Sequence, residues 1–275
     1  MFSDWFCSKF QSLDWKKFAL VAIAVSYLAC LLFVPTVALF YEAFHQGFAE
    51  FLGILSQTDF IKALQLTLLT AGIALPVNTG FGLCAAWFLA RRHFLGRSLL
   101  ISVLDLPFSI SPVVVGLMLV LLYGDRGWLG FLPLKIIFAP PGIVLATLIV
   151  TLPFVAREVM PVLEESGPTE EESARTLGAK PWQVFWRVTL PNIRWGLLYG
   201  VLLTNARAMG EFGAVAVVSG NIVGKTQTLP LFVEETYKNY QTEAAFGAST
   251  ILALLAVVTL VLKEVLERKT RHKAP

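Results

Sequence analysis

Six apolar stretches, at residues 18–41, 61–90, 98–122, 142–155, 195–218 and 244–262, dominate this sequence and leave it few ways to fold. A helix crosses a hydrocarbon layer with about 20 residues, and lipid offers no partner to an unpaired backbone amide. The reading is therefore an all-α membrane protein with six spans. The fourth stretch is short unless Arg157 and Glu158 lie close to the interface. Composition agrees: charged residues make up 15% of the chain, against about 25% in an ordinary soluble domain. The first stretch resembles a signal sequence but stays apolar too long and lacks a convincing cleavage site, so it is expected to be retained.

Lys and Arg set the orientation. With a cytoplasmic amino terminus, 16 of the 22 fall on the inner side and five outside, leaving only Arg207 within a span. Both termini are thus expected in the cytoplasm. The chain divides into a cytoplasmic segment 1–17, a membrane domain 18–262 with its largest inner loop at about 157–194, and a cytoplasmic tail 263–275. In the first segment, Phe2, Phe6, Phe10 and Leu13 have the spacing of a helix lying on the membrane surface, and a frayed tail fits equally. A net charge of +3 gives no argument for nucleic acid.

Within the spans, helix-weakening residues point inward. Pro76 and Asn78, Pro107 and Pro112, and Pro153 free carbonyls that a protein interior or a cavity must satisfy. The run LPFSISPVVVG, with Ser109 and Ser111 between two prolines, is the candidate for a kinked segment, facing a cavity or packed in the bundle. Arg207 and Glu211 stand four apart, and charges at membrane depth must pair or face water. Either Arg207 helps an anion pass, or the two neutralise each other beside a small-residue ridge of Ala206, Gly210 and Ala214. Asp105 is a second possible partner for Arg207. Ser109, Ser111, Thr204 and Asn205, with Arg207 and Glu211, are the candidate lining of a translocation path, whose sites must stay weak for conduction.

Several chemistries are excluded. Cys7, Cys30 and Cys84 have no ligand spacing and read as apolar fillers. His45, His93 and His272 lie outside the spans, with no HExxH or paired nucleophile and base within them. SGNIVGKTQ fails as a phosphate loop, because Ser219 stands where the first glycine must be. No catalytic, metal or cofactor site is expected in this chain.

The most polar stretch, EEESARTLGAKPWQVFWRVTLP at 170–191, is punctuated as two short helices. Thr169 and Glu172 have capping-box spacing, and Glu170 and Glu171 place negative charge on the first turn. Leu177 precedes Gly178, a helix terminator. Pro181 suits the start of a second helix with Trp182, Phe185 and Trp186 on one face, closed by Leu190 and Pro191. The pair could anchor at the interface or present one face to a cytosolic partner.

In the order Glu172-Ser173-Ala174, Gly178, Val188, Leu190-Pro191, this stretch resembles the EAA signature of permease subunits in binding-protein-dependent ABC importers, with Ser173 for Ala and Val188 for Ile. Residues 123–130, 141–158, 205–220 and 224–234 are similar to the permeases of bacterial sulfate/thiosulfate importers. The resemblance implies the MetI-like type I importer fold in the bacterial inner membrane. It implies a coupling helix in which Glu172, Ala174, Leu177, Gly178 and Pro191 meet a separate ATPase. It also implies a second homologous permease, two ATP-binding subunits holding ATP and Mg, and an external sulfate/thiosulfate-binding protein. A molybdate/tungstate permease is the alternative on the same fold, since those carry related segments; a passive anion channel fits the coupling segment poorly.

Overall fold

The computed structural model describes residues 15–45, 47–131, 133 and 135–271. The expectations for Phe2, Phe6, Phe10, Leu13, Cys7 and His272 fall outside these residues. Every regular element described is helical: α1 Trp15–Phe44, α2 Phe48–Leu55, α3 Thr58–Arg91, α4 Arg97–Ser109, α5 Pro112–Tyr123, α6 Pro140–Thr151, α7 Pro153–Ser166, α8 Thr169–Thr176, α9 Pro181–Val184, α10 Leu190–Met209, α11 Gly213–Ser219, α12 Leu229–Lys238 and α13 Thr242–Arg271. A π-helical turn at Phe185–Thr189 joins α9 to α10.

Four stretches are long and apolar enough to cross a membrane as single helices: Phe18–Phe44, Thr58–Arg91, Pro140–Ser166 and Thr242–Leu262. The fourth predicted span is therefore longer than its apolar core suggested. The chain stays helical past Pro153, with a single turn residue at Leu152 whose N–H donates to the Ile149 carbonyl, and carries Arg157 and Glu158 within it. The other two predicted spans are not single helices. Residues 98–122 become α4 and α5, bent by 105°, and residues 195–218 become the end of α10 and α11, bent by 49°. With each bent pair counted as one span, the total is six.

The bundle packs through small residues. Along α3, Ala63, Thr67, Thr70, Ala71, Ala74, Asn78, Gly82 and Ala86 are buried on one helical stripe. Such a stripe lets helices approach closely where lipid is as apolar as any side chain. A Cβ on Gly82 would stand 2.7 Å from Val155 Cβ, one on Gly200 2.9 Å from Val155 Cα, and one on Gly196 2.8 Å from the Glu158 carbonyl. These contacts bring α3, α7 and α10 together around Val155 and Glu158. Ala86, Val155, Val159, Leu163 and Ile193 fill the space beside them. Asn78 locks α3 to α6, donating from Nδ2 to Thr151 Oγ1 at 2.7 Å and to the Leu148 carbonyl at 3.0 Å. The helix continues through Pro76.

The ridge expected at Ala206, Gly210 and Ala214 does not form. The helix breaks after Met209, Ala206 and Gly210 are exposed, and only Ala214 is buried. The close approach lies instead one helix further on, where a Cβ on Gly116 of α5 would stand 2.8 Å from the Ala214 carbonyl. Helix α1 packs against α13 and α2 and leaves its apolar side chains exposed along its length.

Candidate functional site

The polar stretch forms a bent helix pair, as its punctuation predicts. Gly178 takes φ +85°, the left-handed region that favours glycine. Its N–H donates to the Arg175 carbonyl at 2.9 Å, and the Ala179 N–H donates to the Ala174 carbonyl at 3.0 Å. These two bonds are the Schellman closure of α8. Leu177, at the tip, is 89% exposed, and Glu172 and Pro191 are also exposed. Trp182 and Trp186 stack edge to face 5.3 Å apart, both exposed. The corner therefore presents Glu172, Leu177 and Gly178 outward, with Ala174 half-buried behind them.

The start of α8 differs from expectation. Its first bond runs from the Glu172 N–H to the Pro168 carbonyl, so Pro168 is the N-cap and Thr169 is already helical. A helical Thr169 cannot reach back to the free amides, and no capping box forms there. The reciprocal contact appears on α9, where Gln183 Oε1 accepts from the Lys180 N–H at 2.8 Å.

The acid that matters most to the geometry is Glu171, which its local pattern marks only as a first-turn charge. Glu171 is buried, and its Oε1 accepts from Arg91 Nη2 at 2.9 Å, Arg91 Nε at 3.2 Å and Thr189 Oγ1 at 3.0 Å. Arg91 Nη1 also donates to the Leu163 carbonyl at 2.6 Å. Nearby, Arg97 binds Glu164 and donates to the Leu89 carbonyl. The available signal was the run of three acids, only one of which can point inward on a helix turn.

The intramembrane candidates fall into two groups. Ser109 ends α4 and Ser111 is the N-cap of α5, so both lie at the 105° break, exposed. Arg207 stands just before the second break and Glu211 within it. A Cβ on Gly213 would stand 3.0 Å from Pro112 Cβ and 3.4 Å from the Val113 N, so the two breaks adjoin. Arg207 Nη1 lies 2.6 Å from Glu211 Oε2, the side chains being 32% and 1% exposed. Glu211 Oε1 accepts from the Ala214 N–H at 2.9 Å and so caps α11. The pair neutralises itself, and the acid serves the break as well.

Thr204 and Asn205 lie elsewhere in the packing. The buried Thr204 hydroxyl donates to the Gly200 carbonyl of its own helix, and Asn205 Nδ2 donates to Thr259 Oγ1 at 3.3 Å, holding α10 to α13. Asp105 is not the partner of Arg207. Its Oδ1 is 3.4 Å from Arg157 Nε, and the Arg157 guanidinium also lies over the Phe108 ring. The longer fourth helix is what brings Arg157 into reach.

The glycine-rich 219–228 segment turns on itself. Thr226 Oγ1 donates to the Ser219 carbonyl and accepts from the Ile222 N–H. The next helix begins only at Leu229, so no helix N-terminus faces the Gly-Lys pair as a phosphate loop requires.

Residues 78–272 match the model of the binding-protein-dependent transport system inner membrane component. The chain belongs to this family. It is accordingly a multi-pass membrane protein, and its relatives are transport permeases. It is 68% identical over 260 residues to the sulfate transport system permease protein CysW of Synechocystis sp., covering 93% of this chain and 94% of that one. To CysW of Escherichia coli K12 it is 49% identical over 267 residues, covering 96% and 92%. To the sulfate transport system permease protein CysT of the same strain it is 36% identical over 238 residues, covering 85% and 86%. A chain of the crystal structure of a bacterial alginate ABC transporter, in complex with alginate pentasaccharide-bound periplasmic protein, superposes with a TM-score of 0.78 over 94% of this chain and 95% of that one. At 20% identity that likeness shows the fold.

Proposed function

We propose that this chain is the membrane-spanning subunit of an ATP-driven importer that carries sulfate and thiosulfate into the cytoplasm. The cargo reading rests on the 68% identity, over nearly the whole chain, with a permease named for sulfate transport. The division of labour rests on geometry: an exposed, glycine-turned helix corner suits docking. ATP and Mg belong to two partner ATPase subunits.

The excess of Lys and Arg on the α8 side orients that corner, and both termini, toward the cytoplasm. Similarity to both CysW and CysT of one organism supports pairing with a second, homologous permease. An external binding protein would select the anion. Within the membrane, the break that carries Ser109 and Ser111 adjoins the break beside Arg207 and Glu211, and a cation already neutralised by its own acid supports a path of weak, passing contacts with a divalent anion. Closure of the ATPases on ATP would move the helix corners and switch the cavity between inward and outward access.

The test is co-purification with candidate permease and ATPase partners, followed by ATP-driven uptake of labelled sulfate into proteoliposomes. Uptake should require ATP and the binding protein, and be competed by thiosulfate more than by molybdate. A clear molybdate preference, or flux without any ATPase, would overturn the reading.

A further inference from the structure

Helix α8 has an unusual attachment to the bundle. Among its described residues the buried one is a carboxylate, Glu171, so no buried apolar side chain anchors it. At its start the chain enters through Gly167 at φ +62°, and at its end it leaves through Gly178 at φ +85°. Among the described residues its other side-chain hydrogen bond to the bundle, from Asn192 to Glu170, is exposed. A push delivered to α8 therefore has one buried route into the membrane domain.

That route branches at Arg91. The arginine is the last residue of α3 and is only 10% exposed, with Glu171 at 6%. Two of its nitrogens bind Glu171, and the third binds the Leu163 carbonyl near the end of α7. Thr189, in the π-helical turn that leads into α10, donates to the same carboxylate oxygen. One carboxylate thus joins α8 to the ends of α3 and α7 and to the start of α10. A forked guanidinium holds such a geometry more stiffly than a point charge. Helix α3 then runs unbroken to Thr58, and in the half of it remote from Arg91 Thr67 Oγ1 accepts from the Leu229 N–H of α12 at 2.8 Å. A single helix thus joins Arg91 to the α12 contact in the far half of α3.

We infer that Glu171, through Arg91, is the positioning residue that makes the docking helix and the spans α3 and α7 move as one body. This rests on the docking reading above, and it assigns the mechanical tie to the buried Glu171, not to the exposed Glu172 beside it. Glu171→Gln keeps the shape and an acceptor for Thr189 but removes the charge. Arg91→Lys keeps the charge but cannot span Glu171 and Leu163 together.

Both variants are tested in the full complex by ATPase co-purification, ATP hydrolysis and sulfate uptake. A second readout does not depend on the cargo: the distance between spin labels at Lys180→Cys and Leu69→Cys, with Cys7, Cys30 and Cys84 replaced. The expected result is normal ATPase binding and hydrolysis, a fall of tenfold or more in sulfate moved per ATP, and a label distance that broadens with ATP in the variants but stays single in the parent. Unchanged uptake per ATP with an unchanged distance overturns the inference. So does loss of ATPase binding in both variants, which would make the pair part of the dock itself. If the parent complex moves no sulfate, the cargo reading fails, while the label distances still decide the role of Glu171.

Discussion

The substitution of Gly178 separates the shape of the docking corner from its fit to a partner. Nothing lies within 4 Å of a Cβ built on Gly178, so a side chain meets no clash within this chain. The penalty is conformational: a left-handed backbone costs an L-residue with a Cβ about 1–2 kcal/mol. At about 1.4 kcal/mol per factor of ten, Gly178→Val should reduce the population of the correct corner by about 5- to 30-fold. Asn tolerates this region far better, so Gly178→Asn should leave the corner largely formed while adding a side chain on its exposed surface. If the corner docks in a cleft of an ATPase, both variants lose docking and ATP-driven uptake. The loss in Gly178→Asn then comes from the partner, because this chain offers the side chain open space. Both should still insert normally. The assay is ATPase retention on the affinity-purified permease complex, followed by uptake per milligram of complex. Wild-type retention and uptake in Gly178→Asn would refute the idea that this surface is in contact with a partner.

Further substitutions test the packing. Gly200→Val forces atoms against the Val155 backbone and should lower stability by about 1–3 kcal/mol, read as earlier thermal unfolding in detergent. Gly72→Ala, with nothing within 4 Å, should cause no loss in the same assay. Arg207→Gln leaves the buried Glu211 carboxylate without its counter-charge and should cost about 3 kcal/mol, whereas Arg207→Gln with Glu211→Gln should recover most of it. Equal instability of the single and double variants would show that the pair is not electrostatically linked. Asn78→Ala removes two bonds between α3 and α6, one of them fully buried, and should cost about 1–2 kcal/mol, and Asn78→Asp should be worse, because it replaces the amide donor with a charge.

Much of this protein is legible in its sequence. The positions of the apolar runs, the corner at Gly178 and the kink between Pro107 and Pro112 depend on neighbours a few residues away. Hydrophobic run length and turn chemistry report such local constraints directly. The fourth helix was harder, because its second half is polar enough to resemble a loop and is held in helical form by α3 and α10 packing on Val155, Val159 and Leu163.

What the sequence could not decide was which groups meet across space. By spacing alone, Arg207 could pair with Glu211 or Asp105, and any of Glu170, Glu171 and Glu172 could face the bundle. The structure gave Asp105 to Arg157, kept Arg207 with Glu211, and turned Glu171 inward to Arg91. It also left Ala206 and Gly210 exposed and put the close backbone approaches at Gly82, Gly116, Gly196 and Gly200. A carboxylate or a glycine has the same local preferences wherever it occurs. Its partner is set by how the helices are inclined and where they break, and those are properties of the assembled bundle.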